Sequence, residues 1–129
     1  MTPDEYQALA NRTEYTPDFV RLEGRSPEHN FMIARLIHAQ LGLASEAGEI
    51  ADALKKHIIY GKALDELNVF EEVGDHSWYS ALACGAIRRG FEDALARNID
   101  KLKTRYPDKF TQDAALNRDL SAERAALEK

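Results

Sequence analysis

Three tripeptides near the start of the chain, Thr2-Pro3-Asp4, Thr16-Pro17-Asp18 and Ser26-Pro27-Glu28, do most to limit what it can become. Each sets a hydroxyl at an N-cap, then a proline where the first helical turn has no use for an N–H. An acid follows, where the helix dipole favours negative charge. The first predicts a short helix over about residues 3–12. The second opens only a turn, because Gly24 and Arg25 interrupt it. The third predicts a long helix from Pro27 to about Ile59, stopped near Gly61.

Downstream, Asn68-Val-Phe-Glu71 resembles a capping box and predicts a helix to about Arg88. A further helix runs from Phe91 to Arg105, ending at Tyr106-Pro107. No alternating strand pattern of useful length occurs, and no repeat. The expectation is an all-α antiparallel bundle of about four helices, with residues 1–110 as the domain and 111–129 as a polar tail. Within that tail, Ser121 to Lys129 reads as a short helix or a frayed end. In the long helix, Ile33, Leu36, Ile37, Leu43, Ala44, Ala47, Ile50, Ala51 and Leu54 are expected to face the core.

The most informative chemistry lies in two carboxylate pairs, Glu46-Ala-Gly-Glu49 and Glu72-Val-Gly-Asp75. Acids spaced i, i+3 on a helix share a face. The 22 residues from 50 to 71 allow the chain to turn and return antiparallel. Four carboxylates meeting between two helices repel unless a cation sits among them. Hard divalent ions such as Mg²⁺ take oxygen ligands of this kind and bridge to phosphate. The competing reading is a pair of solvated helix faces. Two similar pairs on matching flanks, each with small residues nearby (Gly42 and Ala53, then Gly74), favour the metal site over it.

On the fourth helix Asn98, Lys101 and Arg105 line one face that overlaps its apolar stripe, so they need partners: substrate phosphates or structural acids. Lys55, Lys56 and Lys62 flank the turn after the first pair. They either reach a phosphate tail or cap the helix end. Trp78, Leu67 and Leu82 form a second apolar face, which suggests a subunit interface.

With a formal net charge of -5 the chain offers no global case for binding a nucleic-acid polymer or an anionic membrane. Its single Cys84 cannot form an internal disulfide, so the expected setting is reducing and cytoplasmic. No signal-peptide layout opens the chain, and no apolar run is long enough to span a bilayer. Glu-x-x-His, a Gly-rich phosphate loop, His-Glu-x-x-His and paired zinc cysteines are all missing.

Taken in order, the segments Gly42-Leu-Ala-Ser-Glu46-Ala-Gly-Glu49-Ile-Ala-Asp52-Ala-Leu-Lys55-Lys56, Glu71-Glu72-Val-Gly-Asp75-His-Ser-Trp78-Tyr79 and Asn98-Ile-Asp-Lys101-Leu-Lys-Thr-Arg105-Tyr106-Pro107 resemble the MazG-like nucleoside triphosphate pyrophosphohydrolases. The resemblance runs from about Tyr6 to Phe110, with His76 where an aliphatic residue is more usual. It is similar to the compact single-domain versions carried by phages and bacteria.

The resemblance implies an all-α, oligomer-forming fold related to the dimeric dUTPases, as a homodimer or homotetramer. It implies hydrolysis of a nucleoside triphosphate to the monophosphate and pyrophosphate. Mg²⁺, with Mn²⁺ as a substitute, would be held by Glu46, Glu49, Glu72 and Asp75. Glu49 would orient or deprotonate the attacking water. Asn98, Lys101 and Arg105 would clamp the phosphates, with Lys56 as an addition and Gln7, His38 or Trp78 near the base. The alternatives are a narrower pyrophosphatase for dUTP or dCTP, and a non-catalytic helical module for oligomerisation or regulation.

Overall fold

The structure, a computed structural model, describes residues 1–14 and 24–128. The Thr16-Pro17-Asp18 cap signal lies outside those residues. The described residues form helices and no strand: α1 (Pro3–Thr13), α2 (Pro27–Ile58), α3 (Glu66–Ala86), α4 (Phe91–Arg105), α5 (Gln112–Leu116) and α6 (Leu120–Glu128). The fold is all-α. The chain divides into two compact units, Met1–Asn30 and Phe31–Lys129.

In the first unit, α1 starts on a complete capping box. The Glu5 N–H donates to Thr2 Oγ1 at 3.2 Å, and the Thr2 N–H donates to Glu5 Oε2 at 2.6 Å. Ser26 caps α2 in the same way, accepting from the His29 N–H at 3.2 Å. Both starts stand where the hydroxyl-Pro-acid pattern places them.

In the second unit, α2 ends as the chain reaches Gly61, whose φ of 66° suits a residue without a Cβ. The Lys62 N–H then closes the end by bonding back to the Lys56 carbonyl at 3.2 Å. Helix α3 begins two residues before the expected Asn68. Asp65 is the N-cap, and its carboxylate accepts from the Asn68 N–H at 3.0 Å. An acid three residues upstream of a free N–H wins because it caps without disturbing Asn68's side chain.

Contacts at three levels fix α2 and α3 as antiparallel neighbours. Arg35 donates to the Gly85 carbonyl at 3.3 Å, Tyr79 lies on Gly42, and Glu46 meets Glu72. At the middle level the Tyr79 ring packs where a side chain at residue 42 would be. Gly42 is therefore required for close approach, and its space is filled by an aromatic ring rather than left open for ligands. His38 and Trp78 extend this layer with edge-on ring contacts to Tyr79, at 5.9 and 4.8 Å between centroids.

The expected core face of α2 is met in part: Ile33, Leu36, Leu43 and Ile50 are half-buried. Ala39, Gly42 and Ala53 are its buried residues, whereas Ile37 and Leu54 are exposed, as are Ala44, Ala47 and Ala51. Phe31, Ile37, Leu41, Leu54 and Ile58 on α2, and Leu67, Phe70, Val73 and Trp78 on α3, all stand exposed in the single chain. The fully buried positions of α2 are all small, and many of the largest apolar side chains on both helices stand outward. That is the reverse of what a self-sufficient bundle needs.

The segment after residue 110 is docked. Glu123 on α6 is 4% exposed and accepts a two-pronged grip from Arg105 of α4. Arg97 adds a bond to the Leu127 carbonyl at 2.7 Å. Among the described residues no helix is long and apolar enough to cross a membrane.

Candidate metal centre

The buried line of α2, Ala39–Gly42–Ala53, continues through half-buried Glu46, four residues beyond Gly42 and seven before Ala53. On α3 the same steps link Glu72, Asp75, Tyr79 and Ala86, of which Glu72 and Ala86 are buried. Because the helices are antiparallel, one turn past the Tyr79–Gly42 contact on α3 is Asp75, and one turn past it on α2 is Glu46. The Tyr79 ring lies over the glycine, and the acids one turn away on each helix are brought together.

One oxygen from each of Glu46, Glu72 and Asp75 lies within 4.8 Å of the others. Glu72 is 7% exposed and hydrogen-bonded into place: the Asn68 side-chain amide donates to its Oε1 at 2.8 Å. The Glu46 carboxyl is held above the ordinary glutamate range. A hydrogen bond to Glu72 is the main cause, then desolvation, then the charges of Glu72, Asp75 and Glu49. Clustered carboxylates raise one another's affinity for positive charge, whether a proton or a cation.

The donor set fits a hard divalent ion on that observation. All three ligands are carboxylate oxygens, the dominant one is oriented by an amide, and negative charge is in excess. Glu46, Glu72 and Asp75 are the residues that would hold such an ion.

Glu49 does not belong to the convergent trio. It is exposed, one step round α2, close enough for its charge to be felt by both Glu46 and Lys56. Lys56 is occupied: Asp52 accepts from it at 2.6 Å and raises its ammonium pKa. The same Asp52 holds Lys55, and these two lysines hold its carboxyl down to about 2.

On α4, Asn98 is exposed and Lys101 half-buried. Arg105 is committed elsewhere: its Nε donates to Glu123 Oε1 at 2.8 Å and its Nη2 to Oε2. Arg118 joins the same carboxylate at 2.7 Å, so Glu123 sits well below the usual carboxylate range, chiefly through Arg105.

Two contributors escape a reading of the sequence alone. Asn68 reads there as a cap residue, although its i, i+4 spacing to Glu72 signals the contact. Tyr79 reads only as part of a motif, and its packing on Gly42 has no local signature.

Residues 37–110 match the MazG nucleotide pyrophosphohydrolase domain family. That span holds the acid trio, Glu49, Lys56 and all of α4. A relative of known sequence, the Gene 37 protein of Mycobacterium phage L5, is 30% identical; the alignment covers 92% of this chain and 100% of the phage protein. No solved structure matches the chain.

Proposed function

Because the chain belongs to the MazG nucleotide pyrophosphohydrolase family, we propose that it hydrolyses a nucleoside triphosphate to the monophosphate and pyrophosphate, with a divalent cation in the acid cluster. The observation that supports this most is the convergence of Glu46, Glu72 and Asp75 on one point between α2 and α3. Mg²⁺, or Mn²⁺ in its place, would be held there with Glu49 as a fourth carboxylate. When bound it supplies charge neutralisation of the phosphates and an acidified water.

The remaining chemistry belongs to side chains. Water adds to the α phosphorus, the bond from that phosphorus to the α–β bridging oxygen breaks, and pyrophosphate leaves with the electron pair. Glu49, exposed beside the trio and unpaired by any close cation among the described residues, is suited to take the proton from the water. Glu72 is fixed by the Asn68 amide, which donates to its Oε1. Asn98 and Lys101 offer N–H donors to the phosphate tail. Arg105 and Lys56 reach it only by giving up Glu123 and Asp52, so we assign them less of the grip.

The exposed apolar faces of α2 and α3 support a homo-oligomer, dimer or tetramer, in which they are covered. A nucleotide substrate and a reducing interior fit a cytoplasmic site of action.

The test is pyrophosphate release from a panel of ribo- and deoxyribonucleoside triphosphates, with and without Mg²⁺. Turnover that needs the ion and is lost in Glu49→Gln with the fold intact is the expected result. Turnover confined to dUTP or dCTP selects the narrower pyrophosphatase. Silence across the panel refutes the enzyme and leaves a non-catalytic helical module.

A further inference from the structure

A cavity of about 640 Å³ opens between the C-terminal end of α3, the first half of α4 and α6. That volume is in the range of sites for small organic ligands. Cys84, on its wall, follows Asp75 by nine residues, about 14 Å along the helix axis, so the cavity is separate from the acid cluster.

Ile87, Ala94 and Leu127 give it an apolar floor. Its charged lining is Arg89, Arg97 and Arg124 against Asp93 and Glu128, a balance of +1 in a chain whose formal net charge is -5. Arg124 is spent on Glu128, and Arg97 gives one N–H to the Leu127 carbonyl, which leaves the rest of its fork. Among the described residues the Arg89 side chain has no partner at all.

Arg89 stands on an uncommon turn. Arg88 holds φ at 58°, a left-handed conformation that glycine adopts without strain, and the Arg89 N–H bonds back to the Cys84 carbonyl at 3.0 Å. Gly90 then starts α4 with no side-chain cap.

We propose that this cavity binds a small organic anion: one carboxylate or phosphate head, taken by Arg89 and Arg97, on a compact apolar body lying against Ile87, Ala94 and Leu127. A lining with positive charge in excess favours a single anionic head group. An apolar floor beneath free guanidinium donors matches an amphiphilic ligand rather than a bare ion.

Cys84, the single cysteine, is half-buried in the wall and serves as a reporter. The experiment follows the labelling rate of its thiol in the full-length protein, in EDTA, against increasing benzoate or phenyl phosphate. Phenol and inorganic phosphate are the controls. Saturable protection by one of the two aromatic anions is expected, and whichever protects better identifies the head group. Arg89→Gln is expected to weaken that protection roughly tenfold or more, the scale of a charged hydrogen bond. Glu72→Gln is expected to leave it unchanged.

Protection that does not saturate, that phenol or inorganic phosphate matches, or that survives Arg89→Gln intact would overturn the proposal. The chelator and the absence of any turnover keep this result independent of whether the nucleotide hydrolysis stands.

Discussion

Exchanging Glu46 for glutamine should move stability in opposite directions with and without metal. Without metal, Glu46 is pushed to hold a proton by Glu72, Asp75 and Glu49 around it. Its folded-state pKa is raised, so the folded chain binds that proton more tightly than the unfolded one. The stabilisation is therefore full at acid pH and disappears as pH rises through the raised value. Above that window the metal-free wild type carries uncompensated repulsion. A glutamine side chain at this position keeps an N–H to donate to Glu72 and carries no charge. Glu46→Gln should therefore melt higher than wild type in EDTA at pH 8.

Mg²⁺ reverses the order. At a hundredfold excess over its dissociation constant, an ion bound only by the folded state adds about 2.7 kcal/mol. An unfolding entropy of about 2.1 cal/mol/K per residue over 129 residues makes this a rise of about 10 °C. Wild type should show that rise at pH 8 and less of it near pH 5, where the proton competes. Glu46→Gln and Glu72→Gln should show little at either. Differential scanning calorimetry with and without Mg²⁺ reads both effects. The reasoning fails if Mg²⁺ shifts wild type and both variants equally, or if Glu46→Gln melts below wild type in EDTA.

Three further outcomes are expected. Gly42→Ala gains the helix propensity of alanine, about 1 kcal/mol at most, but its Cβ comes well inside van der Waals contact with the Tyr79 ring. Overpacking of about 1–3 kcal/mol should win, seen as a lower thermal midpoint and weaker Mg²⁺ binding. Glu123 is depressed by Arg105 and Arg118, so the stability it adds is present above its unfolded pKa and lost as pH falls through the acid range. Glu123→Gln should flatten that acid limb and speed amide exchange across residues 120–128. Leu41→Asp, on an apolar face that the single chain leaves exposed, should lower the mass seen by sedimentation equilibrium; an unchanged mass would remove that face from any interface.

What could be read from the chain depends on how local its cause is. Thr2 and Ser26 cap their helices through atoms three residues away, so their signals are complete in the sequence. The convergence of Glu46 with Glu72 and Asp75 needs only helical spacing and an antiparallel return, and it too is legible. The direction of the α2 stripe is not. Periodicity shows that Ile37 and Leu54 share a face; it carries no information on whether the same chain covers it. The grip of Arg105 on Glu123 crosses 18 residues and a turn. On α4 alone Arg105 has the same right to a phosphate as to a carboxylate.

The acid cluster and the aromatic layer beside it are one construction. An acid trio without a cation pushes its two helices apart, and within the cluster only the Glu46–Glu72 hydrogen bond opposes that. The other opposing element is one turn away: Tyr79 seated on Gly42, with Trp78 and His38 edge-on around it. Packing at that level keeps Glu46 within reach of Glu72 and Asp75, and their proximity raises the Glu46 carboxyl above the ordinary glutamate range. Under the proposed function, a site held this way would be preorganised for a divalent ion, because the cost of bringing like charges together is met before the ion arrives. It follows that damage to the Tyr79–Gly42 contact should weaken the metal site without touching any ligand, and that restoring the ring's seat should restore it.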